Sequence, residues 1–381
     1  MADIENQIKE FAKSIGFDEV AITDASPFLD DEKAALERIR SGKMDGLSWY
    51  TEERVKKMNN PEILLPGAKS IISLLTSYLG DEPDPKNSLK GKMARYSWGD
   101  DYHNVIKKRL KILCEKLPEI LNTEVRTRTF VDDGPMNDRA AARRSGLGWF
   151  GKNTNILNAK FGSWFFLSQV ILDVDLVKDS PLNKTCGSCI RCIDACPTGA
   201  INDSYEIDTQ KCISYLTIEL RGKIPINLRS LMGDWVFGCD ICQDVCPVNR
   251  KAQKGNSIEF QQRPGFSTPD LIHILKMDQD EFSKTYKNSP VKRTKLIGLK
   301  RNACVALGNN KNPDAVPSLR EILIDESNLL KSHAAWALGQ IGGIEAMDCL
   351  KRAVNNEENS DVLKEIYLAI KNCEDNQNVS V

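Results

Sequence analysis

The chain has 381 residues, with 52 Lys+Arg against 53 Asp+Glu and a formal net charge of −1. Its 41% hydrophobic and 28% charged residues are the balance of an ordinary folded protein, long enough for about two to three domains. General disorder and a disulfide mini-scaffold are excluded, no apolar run approaches the ~20 residues of a membrane span, and a nucleic-acid partner would have to meet a local basic face. The opening Met1-Ala2-Asp3-Ile4-Glu5-Asn6 lacks the basic and apolar regions of a signal peptide, so a cytoplasmic protein is expected.

Ile4, Ile8, Phe11 and Ile15 recur at helical spacing, and Gly16 is placed to stop that helix. Residues 19–25 read as a strand, 31–41 as an amphipathic helix ended by Gly42, and 70–78 as an apolar strand after the breaker Pro66-Gly67. Residues 80–92, rich in Asp, Pro, Lys and Gly, read as a surface loop. Residues 102–117 are expected to be helical and to halt before Pro118, because proline lacks an N–H and crowds the preceding turn. Residues 123–131 alternate as a strand does, 137–145 form a short Arg-rich helix, and 163–174 a further strand. This mixture predicts an α+β fold whose N-terminal domain covers residues 1–178.

Eight of the 12 cysteines fall between Cys186 and Cys246. In a reducing compartment such clustering points to metal or cluster ligation more than to disulfides. Cys186-Gly-Ser-Cys189-Ile-Arg-Cys192-Ile-Asp-Ala-Cys196-Pro197 is the run of bacterial ferredoxins, in which the fourth cysteine ligates the other cluster. Cys212 and then Cys239-Asp-Ile-Cys242-Gln-Asp-Val-Cys246-Pro247 complete two sets of four. The crossover rule assigns Cys186, Cys189, Cys192 and Cys246 to one [4Fe-4S] cluster and Cys196, Cys212, Cys239 and Cys242 to the other. A pair of structural zinc sites is the competing assignment. The cluster module is placed at residues 179–250. Cys114, Cys304, Cys349 and Cys373 lie in helical patterns and receive no chemistry.

Leu299–Gly308 resembles Leu330–Gly339, and the helices expected downstream, 313–323 and 344–354, keep the same offset. A two-helix unit at that period is a HEAT-like repeat. Residues 265–375 are assigned to it, and so short an array is expected to dock on other parts of the chain. The polar end, residues 376–381, is expected to fray. Between Ser283 and Asn312 stand Lys284, Lys287, Lys292, Arg293, Lys295, Lys300, Arg301 and Lys311 without one Asp or Glu. That single-sign run in a near-neutral protein suggests contacts with a phosphate backbone.

Gly146-Leu-Gly148-Trp-Phe-Gly151 matches a dinucleotide fingerprint, but a helix precedes it where a strand is required. Counted as a P-loop, it has Asn153 where Ser or Thr should bind Mg2+. The other reading is a glycine-rich turn allowing close backbone approach to a flat or bulky group. Asp132 and Asp133 end a strand ahead of Gly134-Pro135, either as an Asx turn or as a proton donor at a pocket mouth.

Taken together, Asn60-Pro-Glu-Ile-Leu-Leu-Pro-Gly-Ala-Lys-Ser-Ile71, Arg95-Tyr-Ser-Trp-Gly-Asp-Asp-Tyr-His103, Phe130-Val-Asp132-Asp-Gly-Pro135, Asp138-Arg-Ala-Ala, Gly146–Asn153 and both cysteine groups resemble the epoxyqueuosine reductase family over nearly the whole length. The resemblance implies a cobalamin-binding N-terminal domain, two [4Fe-4S] clusters in a ferredoxin-like module, and a HEAT-like tail gripping the tRNA anticodon stem-loop. It maps the proton donor onto Asp132 and cobalamin contacts onto Arg95, Tyr96, Ser97, Asp132, Gly151, Lys152, Asn153, Asn155 and Gln169. Lys292, Arg293, Lys295, Lys300 and Arg301 are expected to contact tRNA, with reduced flavodoxin or ferredoxin as electron donor to a monomer. Asp132 would need an apolar pocket to stay protonated near neutral pH. The corrinoid ligand motif Asp-x-His-x-x-Gly is not completed, since Asp101-Tyr-His103 continues as Asn-Val-Ile106. Competing readings are a relative of reductive dehalogenases, a ferredoxin-like electron-transfer adaptor with a HEAT docking arm, and a zinc-stapled RNA-binding protein.

Overall fold

A computed structural model describes residues 2–80, 83, 87–325 and 327–378. Its contacts divide the chain into two units, each assembled from separated stretches. Met1–Asp81, Gly99–Gln210 and Asp240–Gln261 form the first; Glu82–Trp98, Lys211–Cys239 and Gln262–Val381 form the second.

The first unit is built on a four-stranded antiparallel sheet of β1 (Glu19–Asp24), β2 (Ser70–Ser77), β3 (Thr127–Phe130) and β4 (Phe165–Leu172), in the order β1-β2-β4-β3. All eight residues of β2 are buried, which is why this stretch reads as a continuous apolar run rather than an alternating one. Helix α1 (Ala2–Ser14) closes at Gly16, whose φ of +103° favours glycine and where a Cβ would lie 2.9 Å from the Arg109 guanidinium. Helix α2 (Leu29–Arg40) follows β1, and Gly42 takes up a positive φ just beyond it. Helix α3 (Tyr102–Leu121) buries Ile106, Leu110, Leu113 and Leu117 on one face. It does not stop at Pro118, which lies inside its last turn. There the missing N–H forfeits a single bond, and the helix ends instead at Asn122 in the left-handed conformation.

Helix α4 (Asp138–Arg144) is capped by Asn137, whose side chain accepts from the Ala140 N–H at 3.2 Å. Ala140, Ala141 and Ala142 are fully buried, and these small side chains let the helix lie close to the sheet. Strand β3 is shorter than the alternation of residues 123–131 suggests. The Arg126 N–H is taken by the Asp173 carboxylate at 2.9 Å, which ends the ladder on that side.

In the second unit five helices, α5 (Lys295–Asn310), α6 (Val316–Asp325), α7 (Asn328–Ile341), α8 (Gly343–Val354) and α9 (Ser360–Asn378), carry the expected repeat and extend it by one helix. Close approach is set by two glycines. A Cβ at Gly308 would lie 2.6 Å from the Trp336 ring, and one at Gly339 2.7 Å from Ala369. The array does dock, and its anchorage is polar. Arg301 of α5 donates to the carbonyls of Leu216, Leu220 and Gly222 at 2.6–2.8 Å. Neighbouring Asn302 donates to Thr217 O and Val236 O, both at 2.8 Å. The loop expected at residues 80–92 lies partly outside the described residues, as does the tail at 376–381. The end of that loop, Lys92–Met93, is a short strand parallel to Trp235–Phe237.

Candidate active site and cluster thiols

Strand β3 runs out at Phe130, and the chain then turns through Asp132 at a φ of +57°, left-handed backbone in a residue that carries a Cβ. Gly134 completes the bend because a Cβ there would meet the Phe130 ring at 2.4 Å. The adjacent carboxylates part ways. Asp132 Oδ2 accepts from the Tyr102 hydroxyl at 2.6 Å, whereas Asp133 pairs with Lys107 on the surface. Tyr102 is itself fixed, its ring stacked on Phe166 at 4.1 Å and 6° and on His103 at 4.1 Å. His103 Nδ1 meets Asp101 Oδ1 at 2.8 Å. Burial opposes the charge on Asp101, but the bonds from His103 outweigh it and leave its pKa below the usual carboxylate value.

The apolar enclosure expected around Asp132 is absent, since that residue is exposed. The buried acid nearby is Asp138, at the start of α4. Its pKa is driven well above the ordinary carboxylate value by desolvation first and by repulsion from Asp132 and Asp133, only partly offset by Arg139. The sequence offered Asp138 and Tyr102 within motifs but no role for either.

Several expected contacts are used differently. Gln169 is fully buried, and its amide donates to the Asp138 main-chain carbonyl at 3.3 Å, so it supports α4 rather than lining a pocket. Ser97 is fully buried and donates to Ala94 O at 2.8 Å within its own turn. The glycines at 146, 148 and 151 admit protein, not a ligand: Cβ atoms there would meet Ser180 O at 2.3 Å, Leu157 O at 2.5 Å and Asn153 Oδ1 at 2.6 Å. The Asn155 main-chain carbonyl accepts from the Gly151 N–H at 2.8 Å within the same turn. Arg95 stands over the Trp98 ring and Tyr96 against Phe237, all in the second unit.

In the first unit Cys186, Cys189, Cys192 and Cys246 line one cavity of about 120 Å3, with Trp149, Lys152 and Asn153 on its wall. This is the set assigned by the crossover rule. Burial first, and then the other three sulfurs, raise the Cys192 thiol pKa, a cost that a bound iron core would offset by stabilising the thiolate. Four cysteines around one cavity and no imidazole suit an iron–sulfur cluster. Of the remaining four, Cys196 and Cys242 belong to the first unit and Cys212 and Cys239 to the second. Among the described residues no disulfide joins any cysteine.

A larger cavity of about 420 Å3 in the first unit has Arg38, Tyr50, Arg139, Arg143, Trp149 and Phe150 among its walls. Trp149 borders both cavities, and its indole N–H is buried without a partner.

The basic run divides in two. Lys292, Arg293 and Lys295 are exposed, Arg293 in an ion pair with Glu219. Lys300 is 8% and Arg301 0% exposed. Arg301 is therefore no phosphate ligand, because its guanidinium is committed to backbone carbonyls inside the fold; Lys300 is likewise withdrawn from solvent. Burial lowers the Arg301 pKa to about 10, with nearby Arg221 adding to the effect.

Family models match three stretches: "Epoxyqueuosine reductase QueG, DUF1730" at residues 59–133, "4Fe-4S double cluster binding domain" at 185–249 and "HEAT repeats" at 297–371. The chain is 44% identical over 303 residues to the epoxyqueuosine reductase of Leadbetterella byssophila, covering 79% of this chain and 98% of that protein. It is 35% identical to the Bacillus cereus enzyme, covering 95% and 96%, and 37% identical to that of Escherichia coli K12, covering 88% and 89%. A crystal structure of epoxyqueuosine reductase with an epoxyqueuosine-modified tRNA-Tyr stem loop superposes at a TM-score of 0.91, 31% identity and 98% and 99% coverage. The Streptococcus thermophilus enzyme superposes at 0.88 with 28% identity, covering 98% and 100%. No helix among the described residues is long and apolar enough to cross a membrane.

Proposed function

Since this chain belongs to the epoxyqueuosine reductase family, we propose that it reduces epoxyqueuosine to queuosine at the wobble position of a tRNA anticodon. The observation that carries the chemistry is the Tyr102–Asp132 pair, placed at a strand end in the same unit as four convergent cluster thiols. Converting an epoxide to an alkene and water consumes two electrons and two protons. Side chains hold no supply of low-potential electrons, so two [4Fe-4S] clusters and cobalamin, when bound, supply them. Cys186, Cys189, Cys192 and Cys246 hold one cluster, and Cys196, Cys212, Cys239 and Cys242 the other.

The larger cavity fits an arm of the cobalamin macrocycle. Its volume is that of an ordinary ligand pocket, arginines, aromatic rings and the carboxylates of Asp30 and Asp31 line it, and the unpartnered Trp149 indole offers a donor to an amide oxygen. Arg139, Arg143, Tyr50 and Trp149 would hold it there, with Lys152 added by motif position. Asp132 delivers a proton to the opening epoxide oxygen, oriented by Tyr102. A base in a single-stranded loop can be splayed out toward such a carboxyl group without opening a duplex. Exposed Lys292, Arg293 and Lys295 contact flanking phosphates.

In functional terms residues 1–178 bind cobalamin, 179–250 carry the clusters and 265–375 meet tRNA. The enzyme acts as a monomer fed by reduced flavodoxin or ferredoxin. The deciding experiment is anaerobic reconstitution with iron, sulfide and cobalamin, followed by assay on tRNA bearing epoxyqueuosine. Queuosine should form, and cobalt should remain with the purified protein. Retained iron without cobalt and without product would instead indicate an electron-transfer adaptor.

A further inference from the structure

We propose that Asp138 is a proton reserve for the reaction, a second carboxylic acid that reprotonates Asp132 between the two proton transfers. The inference rests on the reductase function proposed above, and it starts from stoichiometry. The epoxide oxygen leaves as water, so both its C–O bonds break, a C=C bond forms, and two electrons arrive from the reduced iron–sulfur chain. That one oxygen must take up two protons. Asp132 carries one. An exposed carboxylate relying on bulk water for the second would be slow to reload once tRNA covers it.

The fold brings the second acid close. Phe130, two residues before Asp132, pairs in register with Gln169 of β4. Gln169 in turn holds the Asp138 main-chain carbonyl from beneath. Asp138 as a whole is half-buried, and its Oδ1 is sealed from solvent and has no hydrogen-bond partner. Gln169 Oε1 and the hydroxyl of Ser73, its register partner on β2, are also buried and unpartnered. With no donor at Oδ1, the ionised form is penalised more than the neutral acid, which has a proton to give.

The charged groups acting on Asp138 are Asp132, Asp133 and Arg139, and Lys107 draws on Asp133. Their balance favours the acid form as long as Asp132 is ionised. Transfer of a proton from Asp138 to Asp132 exchanges which of the two repels the other, and after the second delivery to the oxygen both carboxylates are reloaded from solvent. Asp138 acts through Asp132 and is a positioning residue rather than one that touches the substrate.

The test uses the full-length protein. Infrared spectra near neutral pH should show a neutral-carboxyl C=O band that shifts on transfer to D2O, is lost in Asp138→Asn and persists in Asp132→Asn. In Asp132→Asn, with the repelling charge gone, the band should titrate away at lower pH than in the wild type. In turnover, Asp138→Asn should lose rate mainly on the alkaline side, by about 10- to 100-fold, with tRNA affinity and iron content unchanged. A band that survives Asp138→Asn, or an alkaline limb that does not move in an active enzyme, overturns the inference and leaves the reductase function standing. Wild-type protein that shows the band yet forms no queuosine overturns the reductase function, and the proton-reserve role with it. If Asp138→Asn does not fold, the band's titration in Asp132→Asn decides: an unchanged titration overturns the coupling.

Discussion

Tyr102 and Asp132 are joined by a hydrogen bond of 2.6 Å between phenol and carboxylate. The tyrosine ring is held between Phe166 and His103, so the bond fixes a carboxylate that otherwise sits on exposed, left-handed backbone. A hydrogen bond to a charged group is worth about 1.5–3 kcal/mol. Tyr102→Phe should therefore reduce turnover about 10- to 100-fold, with little change in tRNA affinity. Asp132→Asn should cost about 100- to 10,000-fold, and Asp133→Asn, which loses only a surface pair with Lys107, less than about 5-fold. Single-turnover assays on epoxyqueuosine tRNA separate the three, and a near-normal Asp132→Asn would remove the proton-donor role.

Cys246→Ala should remove about half the iron while leaving the electron paramagnetic signal of one reduced cluster. The same loss is expected from Cys186→Ala, since both thiols line one cavity. If the Cys186→Ala,Cys246→Ala double variant lost both clusters, the two thiols would belong to different ones.

Charge reversal of Lys292, Arg293 and Lys295 to Glu should weaken tRNA binding and flatten its dependence on log salt by about 2 for three single-strand phosphate contacts. Arg301→Ala should behave otherwise. It leaves buried carbonyls without donors, at a cost on the order of 3 kcal/mol, and should lower the melting temperature without altering the salt slope. Titrations across a salt series, paired with thermal melts, check both.

His333 is fully buried, accepts from the Ile224 N–H at 3.1 Å through Nε2 and donates from Nδ1 to Leu329 O at 2.7 Å. Desolvation, and then the nearby Arg229, press its pKa well below the ordinary imidazole value. The folded state thus keeps this ring neutral, while an unfolded chain binds a proton below about pH 6.5. Stability should be full above that value and fall as the solution is acidified. Melts at about pH 7.5 and about pH 5.5 should show a larger loss for the wild type than for His333→Gln; equal losses would place the acid sensitivity elsewhere.

Where spacing alone groups side chains, their neighbourhood was legible in the sequence. Cys186, Cys189, Cys192 and Cys246 sit together as the ferredoxin crossover requires, and the recurring Leu–Gly segments became stacked first helices. What it could not display was how a side chain is used once packed. Arg301 and Lys292 look alike in a row of basic residues, but one fastens α5 to backbone carbonyls and the other faces solvent. The glycines between 146 and 151 suggested room for a flat ligand, and the chain fills that room with itself. Pro118 marked a helix stop at a place where the fold tolerates one missing bond. Asp138 stood in a motif with no role attached, because its isolation depends on the packing of Gln169 and Ser73 in the sheet.

Each unit is stitched from stretches that the other interrupts, and this has a consequence for biosynthesis. Arg109 of α3 donates to Ser257 at 3.0 Å and to Glu259 at 2.9 Å, and Cys246 follows Cys192 only after the stretch Lys211–Cys239, which belongs to the second unit. A nascent polypeptide leaving the ribosome therefore holds three cluster sulfurs well before the fourth emerges. Metal loading of that site belongs to a late stage of translation or to the released chain.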